Sequence, residues 1–412
     1  MRKLSFWILL FATLAIADMG PVHKTLRAYA MGNAFVAVVD DQDAVYYNPA
    51  GLNLINRLGN YESYPEYGYY PRNFIDARIN FGLDVPLTQA WDAYKLGTQI
   101  QSLYSNAVHA SNAKGSSTNA LIDSLGAHPE LSDKLNSFDQ VPINIASKLD
   151  FEAACPHFGG AIWVDGGVSP YIETGIITPS AGIDTAYIDA VAQAAFAFGI
   201  GDQWSIGIGG QASKREYMPN LSVSLMDWKS AQDSLTTRTN QITKDATKFS
   251  TIGFAADLGV LYQWQRDVRF GASLRNWYLK PMGDEKITPN LTVGVDYSPR
   301  RLQRNTGFYR KVNLAMDFED MLNNDRGYKP LSHLDFGMEI DQVVLGIPNW
   351  PSLRLLKLHG GVGFKGGYPT AGLGIEVLRI FEIDATTWAD ETGYYTGAQE
   401  NRYWVMQLSI GI

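Results

Sequence analysis

Hydrophobic and polar residues alternate along many segments of the chain. In the last segment the apolar positions are Trp404, Met406, Leu408, Ile410 and Ile412. The intervening positions, from Tyr403 to Gly411, are mostly polar or small. Because successive side chains of a strand point to opposite faces, this period of two predicts a β-strand with one apolar face and one wet or tightly packed face.

The same alternation recurs upstream, and there the carboxylates occupy one phase only. The apolar phase holds Trp204, Ile206, Ile208, Ile252, Phe254, Leu258, Val260, Tyr262, Trp264, Val312, Leu314, Met316, Phe318, Leu334, Phe336, Met338 and Ile340. The opposite phase holds Asp257, Asn313, Asp317, Glu319, Asp335, Glu339 and Asp341. Carboxylates confined to one face indicate that this face is hydrated, as the lumen of a membrane barrel is.

We predict fourteen strands from this pattern. They lie near residues 73–85, 141–152, 157–167, 185–200, 203–216, 250–264, 268–280, 287–298, 310–321, 333–343, 354–364, 369–377, 379–388 and 401–412. The break near Leu378 is inferred because the apolar parity switches there, as it does across a tight turn.

A soluble sandwich also alternates, but three features favour a transmembrane barrel. Many segments have ten or more residues, the length that a tilted strand needs to cross a bilayer. The last strand runs to the final residue. Apolar faces begin or end in aromatic residues, as interfacial girdles do: Trp204, Tyr262, Trp264, Tyr278 and Tyr297.

The fold class predicted is therefore all-β, an antiparallel transmembrane barrel of about 14 strands. With both termini in the periplasm, the long connections fall outside, at 86–140, 168–184, 217–249 and 389–400. The short turns fall inside, at 201–202, 265–267 and Leu378, which is the usual asymmetry of such barrels. Spacings of three and four residues predict partly helical extracellular loops within 86–140 and 217–249.

Residues 1–17 are predicted to be a secretory signal peptide. Arg2 and Lys3 precede an apolar stretch that is too short to span a bilayer, and Ala15-Ile16-Ala17 has the small-x-small pattern of a cleavage site. Composition agrees with export to a membrane: glycine is 39 of 412 residues, aromatic residues make up 12%, and the mean hydropathy is only −0.13. We expect the cell outer membrane as the location.

The net charge argues against nucleic-acid binding, and the cysteine content excludes an internal disulfide. The formal net charge is −8, and a nucleic-acid-binding protein needs a clustered basic surface. The single cysteine, Cys155, excludes an internal disulfide and is interpreted as a turn or packing residue.

The stretch 27–52 does not alternate like a strand. Small residues dominate it, and Asn48-Pro49-Ala50-Gly51 is a turn signal. Its series Arg-Ala-x-x-Met-Gly, Ala-Phe-Val-Ala, Asp-Asp and Asn-Pro-Ala-Gly-Leu resembles the FadL-like outer-membrane family, and especially its PorV-type branch. The chain departs from many such barrels in ending at Ile412 instead of an aromatic residue recognised by the barrel assembly machinery.

The resemblance implies an N-terminal hatch over residues 18–60, which plugs a barrel formed by residues 61–412. The hatch or gating residues carried over from it are Arg27, Gly32, Asp40, Asp41, Asn48, Pro49, Ala50 and Gly51. It implies no catalytic residue, no metal and no cofactor. The partners expected are outer-membrane lipid, the assembly machinery, a hydrophobic small-molecule ligand and, on the PorV-type interpretation, secreted protein cargo.

Three functions remain open at this level. The leading hypothesis is a channel for hydrophobic small molecules, similar to long-chain fatty-acid transporters. In that case a lateral gap is expected near strand glycines, with candidates at Gly159-Gly160, Gly166-Gly167, Gly209-Gly210 and Gly360-Gly361. The alternative is a docking barrel for protein secretion without small-molecule transport.

An enzyme is the third function, and we predict against it. None of the six histidines has a spacing typical of a catalytic or metal site. The inward carboxylates are expected to find partners among Arg269, Arg275 and Lys357, because buried charges are generally paired. The alternative is an acidic lumen that prefers cations or has an electrostatic rim.

Overall fold

The chain forms a closed antiparallel β-barrel in a computed structural model. The structure describes residues 23, 25–55, 76–86, 145–173, 180–218, 221–224, 252–280, 289–302, 310–322, 333–347, 350–391 and 400–411, with residue 237 and isolated residues between 91 and 133. The predicted signal peptide lies outside this part of the chain, and so do most of the two insertions predicted to be helical.

Within the described ranges, fourteen long strands and one short strand make up the sheet. They are β1 (Asp76–Val85), β2 (Ile145–Cys155), β3 (Phe158–Glu173), β4 (Ser180–Ile200), β5 (Trp204–Met218), β6 (Leu221–Ser224), β7 (Gly253–Gln265), β8 (Val268–Lys280), β9 (Asn290–Tyr297), β10 (Arg310–Phe318), β11 (Leu334–Ile347), β12 (Trp350–Lys365), β13 (Tyr368–Val377), β14 (Phe381–Glu391) and β15 (Glu400–Gly411).

Each long strand pairs with its neighbours in the chain, and the pairing of β1 with β15 closes the ring. The short strand β6 stands outside the ring, pairing with the start of β4. All fourteen predicted strands are present, so the predicted fold class is confirmed.

The strand ends differ most from prediction between β3 and β4 and, by about four residues on each side, between β11 and β12. β3 continues to Glu173 and β4 begins at Ser180, which leaves little of the loop predicted at 168–184. The ladder between them shifts register between Ser169 and Pro170. Such an irregularity breaks the period of two, and the sequence pattern therefore ends there although the pairing continues.

Short turns gather at one end of the barrel and most long connections at the other. The predicted break at Leu378 is a tight turn in which Leu378 and Arg379 have positive φ angles of 56° and 65°. This is the backbone of a two-residue hairpin turn of the kind that matches strand twist. No helix among the described residues is long and apolar enough to cross a membrane.

The two faces of the wall have opposite character. Outward positions are large and apolar, for example Met406 and Leu373, whose side chains are 62% and 61% exposed. Inward positions are buried and often charged, for example Asp317 and Asp335. The phases assigned from sequence to the last strand and to its upstream counterparts are therefore correct.

An N-terminal segment, residues 25–55, contributes much of the buried apolar core. It contains helices α1 (Leu26–Ala30) and α2 (Ala44–Tyr47) and a 3₁₀ helix over Pro49–Leu54. A second 3₁₀ turn covers Arg300–Leu302, between β9 and β10. Met31, Phe35, Val38 and Leu52 are fully buried.

Candidate functional site

The N-terminal segment follows the inner wall around the barrel. As its residue numbers rise, it contacts strands of falling number. Its hydrogen bonds join Leu26 O to Thr386 Oγ1 on β14 (3.3 Å), Ala30 O to Thr370 Oγ1 on β13 (3.1 Å), Phe35 N to Asp317 Oδ2 on β10 (2.7 Å), Val38 O to Arg269 Nη2 on β8 (2.9 Å), Asn48 Nδ2 to Val260 O on β7 (3.3 Å) and Ala50 O to Ser205 Oγ on β5 (2.6 Å). Contacts on so many strands place the segment within the ring.

Inward glycines make room for this path. On each of seven strands, a Cβ atom added to one glycine would lie closer than 3.0 Å to the segment. These are Gly372, Gly363, Gly337, Gly271, Gly259, Gly207 and Gly159. We call them the groove glycines. Contacts of that kind involve backbone or tightly packed atoms, so larger residues would displace the segment.

The glycine pairs predicted to mark a lateral gap do not interrupt the sheet. Gly159 pairs with Ala154 and Ala195, and the other pairs also keep regular register with both neighbouring strands. Gly159 packs on the segment, whereas Gly210 faces outward. The glycines of the wall thus serve close packing, and the gap prediction is not supported at these positions.

Arg27, Asp40 and Asp41 meet in one charge network with the wall. The Arg27 guanidinium donates to both oxygens of Glu339 on β11, at 2.8 and 2.5 Å, and also to Asp41. Lys311 on β10 donates to Asp40 at 2.7 Å. Burial alone would lower the pKa of Arg27, but Glu339 and Asp41 outweigh it and raise that pKa well above its usual value. The guanidinium therefore stays charged and bridges two parts of the segment to the wall.

The Asn48-Pro49-Ala50-Gly51 turn joins the two halves of the segment. The Asn48 side chain accepts from Ala50 N at 3.1 Å, which caps the 3₁₀ helix, and donates to Val36 O at 3.0 Å. Pro49 and Ala50 pack on Gly207. A Cβ at Gly51 would lie 2.7 Å from Val39 O. Each residue type of this turn thus has a packing or hydrogen-bonding reason.

Gly32 lies where the segment crosses from β12 to β11. Its φ angle is +67°, and a Cβ there would lie 2.5 Å from the carbonyl oxygens of Phe336 and Phe364. Both the left-handed backbone and the close approach demand glycine. The structure therefore brings the predicted residues into one buried segment, although they form no single pocket.

An aromatic cluster that the sequence did not indicate lies beside α1. Tyr29 packs against Trp388 with ring centroids 4.5 Å apart, and Trp388 packs against Tyr403 at 5.7 Å. Tyr187 and Leu26 belong to the same buried cluster. Trp388 and Tyr403 lie near the ends of β14 and β15 that the 392–399 connection joins. The available signal was their parity, since both occupy inward positions of otherwise polar phases.

A second unpredicted feature is the buried site of His23, formed by Tyr46 and Asp150. Its ring stacks on Tyr46 at 3.6 Å with an interplanar angle of 3°, and Nε2 lies 3.2 Å from Asp150 Oδ2 on β2. Burial, and then the positive charge of Lys148, lower the pKa of His23 to about 4 although Asp150 acts in the opposite direction. The imidazole is accordingly neutral at physiological pH.

Glu319 and Asp341 have cationic partners expected from sequence, whereas Glu339 binds Arg27 instead. Arg275 lies 3.8 Å from Glu319, and Lys357 lies 3.5 Å from Asp341. Arg269 pairs instead with Asp296, at 3.2 Å. Asp317 accepts the backbone N–H groups of Phe35 and Val36, so it binds the segment instead of a cation.

Comparison with known proteins gives distant structural likeness only. No protein-family model matches the chain, and no curated protein does. Among solved structures, the Ralstonia pickettii toluene transporter TbuX is similar with a TM-score of 0.45 and 12% identity, over 94% of this chain and 98% of that one. The Pseudomonas putida toluene transporter TodX (0.42, 9%, 95% and 98%) and the monoaromatic hydrocarbon channel CymD (0.40, 10%, 97% and 97%) are similar too. Likeness at this distance does not establish a family, and the fold stands on the strand pairing of the chain itself.

Proposed function

We propose that the protein is an outer-membrane channel for hydrophobic small molecules, with the N-terminal segment as its hatch. The observation that carries this proposal is a closed barrel whose interior is crossed by a wall-bound segment. A barrel filled in this way is not an open aqueous pore. Passage requires that the segment move. The ligand must then contact the wall residues that the segment uncovers.

The outward surface supports a membrane setting. Large exposed aromatic residues occur near both ends of the strands, with aliphatic residues between them. At the short-turn end these are Phe158, Trp204, Trp264, Tyr297 and Phe381, and at the other end Phe254, Trp277, Phe318, Phe336 and Phe364. In water this surface would be an aggregation hazard, whereas in lipid it is solvated. Outer-membrane lipid and the barrel assembly machinery are the partners that follow from it.

The aromatic cluster supports a hydrophobic ligand. Tyr29 of the segment packs with Trp388 and Tyr403 of a wall whose inner face is otherwise rich in charge. Burial of apolar area contributes about 25 cal/mol per Å², and ring stacking adds about 1 kcal/mol. Because Tyr29 belongs to α1, a ligand that inserts between these rings competes with contacts that hold the hatch. Flat aromatic molecules therefore suit this cluster, and a long alkyl chain is the second class to test.

Uptake into liposomes tests the channel. Protein-containing and empty liposomes are supplied with toluene and, separately, with a labelled long-chain fatty acid. Gly207→Val places a branched side chain against Pro49 and Ala50, so we expect the hatch to loosen and uptake to rise severalfold. Gly210→Val is the matched control, since Gly210 lies on the same strand but faces outward. Its uptake should equal that of the wild type.

Two outcomes overturn the proposal. If neither compound enters faster than into empty liposomes, for the wild type and for Gly207→Val alike, the channel function is wrong. If membranes instead yield the barrel bound to secreted cargo while uptake is absent, the docking function is favoured.

A further inference from the structure

His359, Glu382 and Asp384 form a group on the inner wall that the hatch does not explain. They lie on β12 and β14, separated by β13. Nε2 of His359 lies 2.5 Å from Asp384 Oδ1 and 3.5 Å from Glu382 Oε1. The three ligand atoms all lie within 4.8 Å of one another. We propose that this triad binds a first-row divalent transition-metal cation such as Zn²⁺.

The donor set and its spacing suit such an ion. One imidazole nitrogen and two carboxylate oxygens bind Zn²⁺ at about 2.0–2.2 Å, which places ligand atoms about 3.4 Å apart around a tetrahedral metal. The His359–Glu382 separation already has this value. The His359–Asp384 separation must open by about 1 Å to admit the ion. Neither side chain is completely buried, at 13% exposure for His359 and 9% for Asp384, so the proposal takes this opening to come from rotation of the two side chains.

Gly374 leaves a space into which His359 and Asp384 reach. It lies on β13 and pairs with His359 on one side and Asp384 on the other. A Cβ there would collide with His359 Nε2 and Asp384 Oδ1. The groove glycines accommodate the hatch, whereas Gly374 accommodates two side chains that reach over it towards each other.

The neighbouring charges leave the triad short of positive charge. Lys357 contacts both Asp341 and Glu376, and Arg78 contacts both Glu382 and Asp76. Each fixed cation thus faces two carboxylates, and the charged contact of Asp384 is with His359. A divalent cation would offset this excess of carboxylate charge.

Arg78 also orients Glu382 for the role of ligand. Its Nη1 atom lies 2.5 Å from Glu382 Oε2, so that Oε1 is the oxygen turned to His359. A hydrogen bond to the far oxygen of a ligating carboxylate fixes the direction of the near one. The geometry is thereby set before the ion arrives.

Metal titration of the whole mature barrel in detergent tests the site. After treatment with a chelator, Zn²⁺ is added in a calorimeter, and Co²⁺ binding is followed by its visible absorption. We expect one ion per chain. His359→Gln removes the nitrogen ligand and should weaken binding at least about 100-fold. Gly374→Ala should do so too, because the added methyl group pushes the ligand atoms of His359 and Asp384 aside while all three ligand side chains are kept.

Asp390→Asn is the control, since it removes a carboxylate of β14 that pairs with Lys365 and lies outside the triad. It should bind as the wild type does. Heat-dependent migration in gels verifies that each variant is a folded barrel. The proposal is overturned if the wild type binds no ion, or if His359→Gln and Gly374→Ala bind with wild-type affinity. Neither result bears on the channel function, which uptake measures separately.

Discussion

The outward and inward faces of the same strands are specified in different ways. On β15, the outward Met406 and Leu408 need only an apolar surround, and their neighbours in sequence determine their direction. The inward Tyr403 packs against Trp388, and on β11 Glu339 binds Arg27, which is 312 residues away in the chain. An outward position is therefore defined locally, whereas an inward position depends on partners that folding brings together.

Loss of Arg27 should have the largest effect on the inward face. Arg27→Met leaves the buried Glu339 and Asp40 and the half-buried Asp41 with Lys311 as the remaining cation of the network. Removing one partner of a buried ion pair costs about 3–5 kcal/mol. The partial exposure of Arg27, 19% of its side chain, favours the lower end of that range. We expect amide hydrogen exchange over residues 25–55 to accelerate about 100-fold or more.

Arg215→Met is the control for that measurement. Arg215 is also buried and paired, with Asp189 on β4, but the pair joins two wall strands. Its loss should destabilise the barrel without selectively releasing the segment. Equal protection of residues 25–55 in Arg27→Met and the wild type would show that the network does not hold the N-terminal segment in place.

A charge on the outward face should have the next largest effect. Met406 lies at the middle of β15 with 62% of its side chain exposed. Met406→Arg places an arginine towards lipid near the midplane, which should cost about 2–4 kcal/mol of stability. Gln407→Arg adds the same charge one residue away but towards the lumen, where it should cost less than about 1 kcal/mol. Guanidinium unfolding in phospholipid vesicles measures both, and equal costs would contradict a membrane-facing outer surface.

Outward positions are defined by their neighbours in sequence, whereas inward positions depend on distant partners. This difference explains how much of the structure the sequence predicted. Alternation revealed all fourteen strands and the turn at Leu378, because those features depend on the next few residues. It also placed Asp317 and Glu339 on the inward face. It did not show that Asp317 would bind Phe35 and Val36, or that Tyr29 would meet Trp388, since such contacts join positions that no local pattern relates. For the N-terminal segment, the motif of small residues indicated close packing, but the groove glycines are recognisable only once the strands are in register.

The smallest predicted effect is the pH dependence of an inward contact, the packing of His23 inside the barrel. In the docked segment the pKa of His23 is lowered to about 4 by burial and then by Lys148, whereas in water it returns to about 6.5. The released state therefore binds the proton first, and docking is strongest above pH 6.5 and weakens as the pH falls towards 4. Between pH 7 and pH 5 the loss should be about 2 kcal/mol, of which less than about 1 kcal/mol falls in the first unit.

Protection factors for residues 25–55, corrected for the intrinsic pH dependence of exchange, measure this change. Since carboxylates also titrate at acid pH, His23→Gln is the comparison that isolates the imidazole: the wild type should lose protection more steeply than the variant between pH 7 and pH 5. Wall amides on β13 and β14, far from His23 in sequence, should show no such difference between the two proteins. If the pH dependence of protection for residues 25–55 is the same in the wild type and His23→Gln, the contacts of His23 with Tyr46 and Asp150 do not contribute to docking. The N-terminal segment would then be held by the Arg27 network and by its packing on the groove glycines.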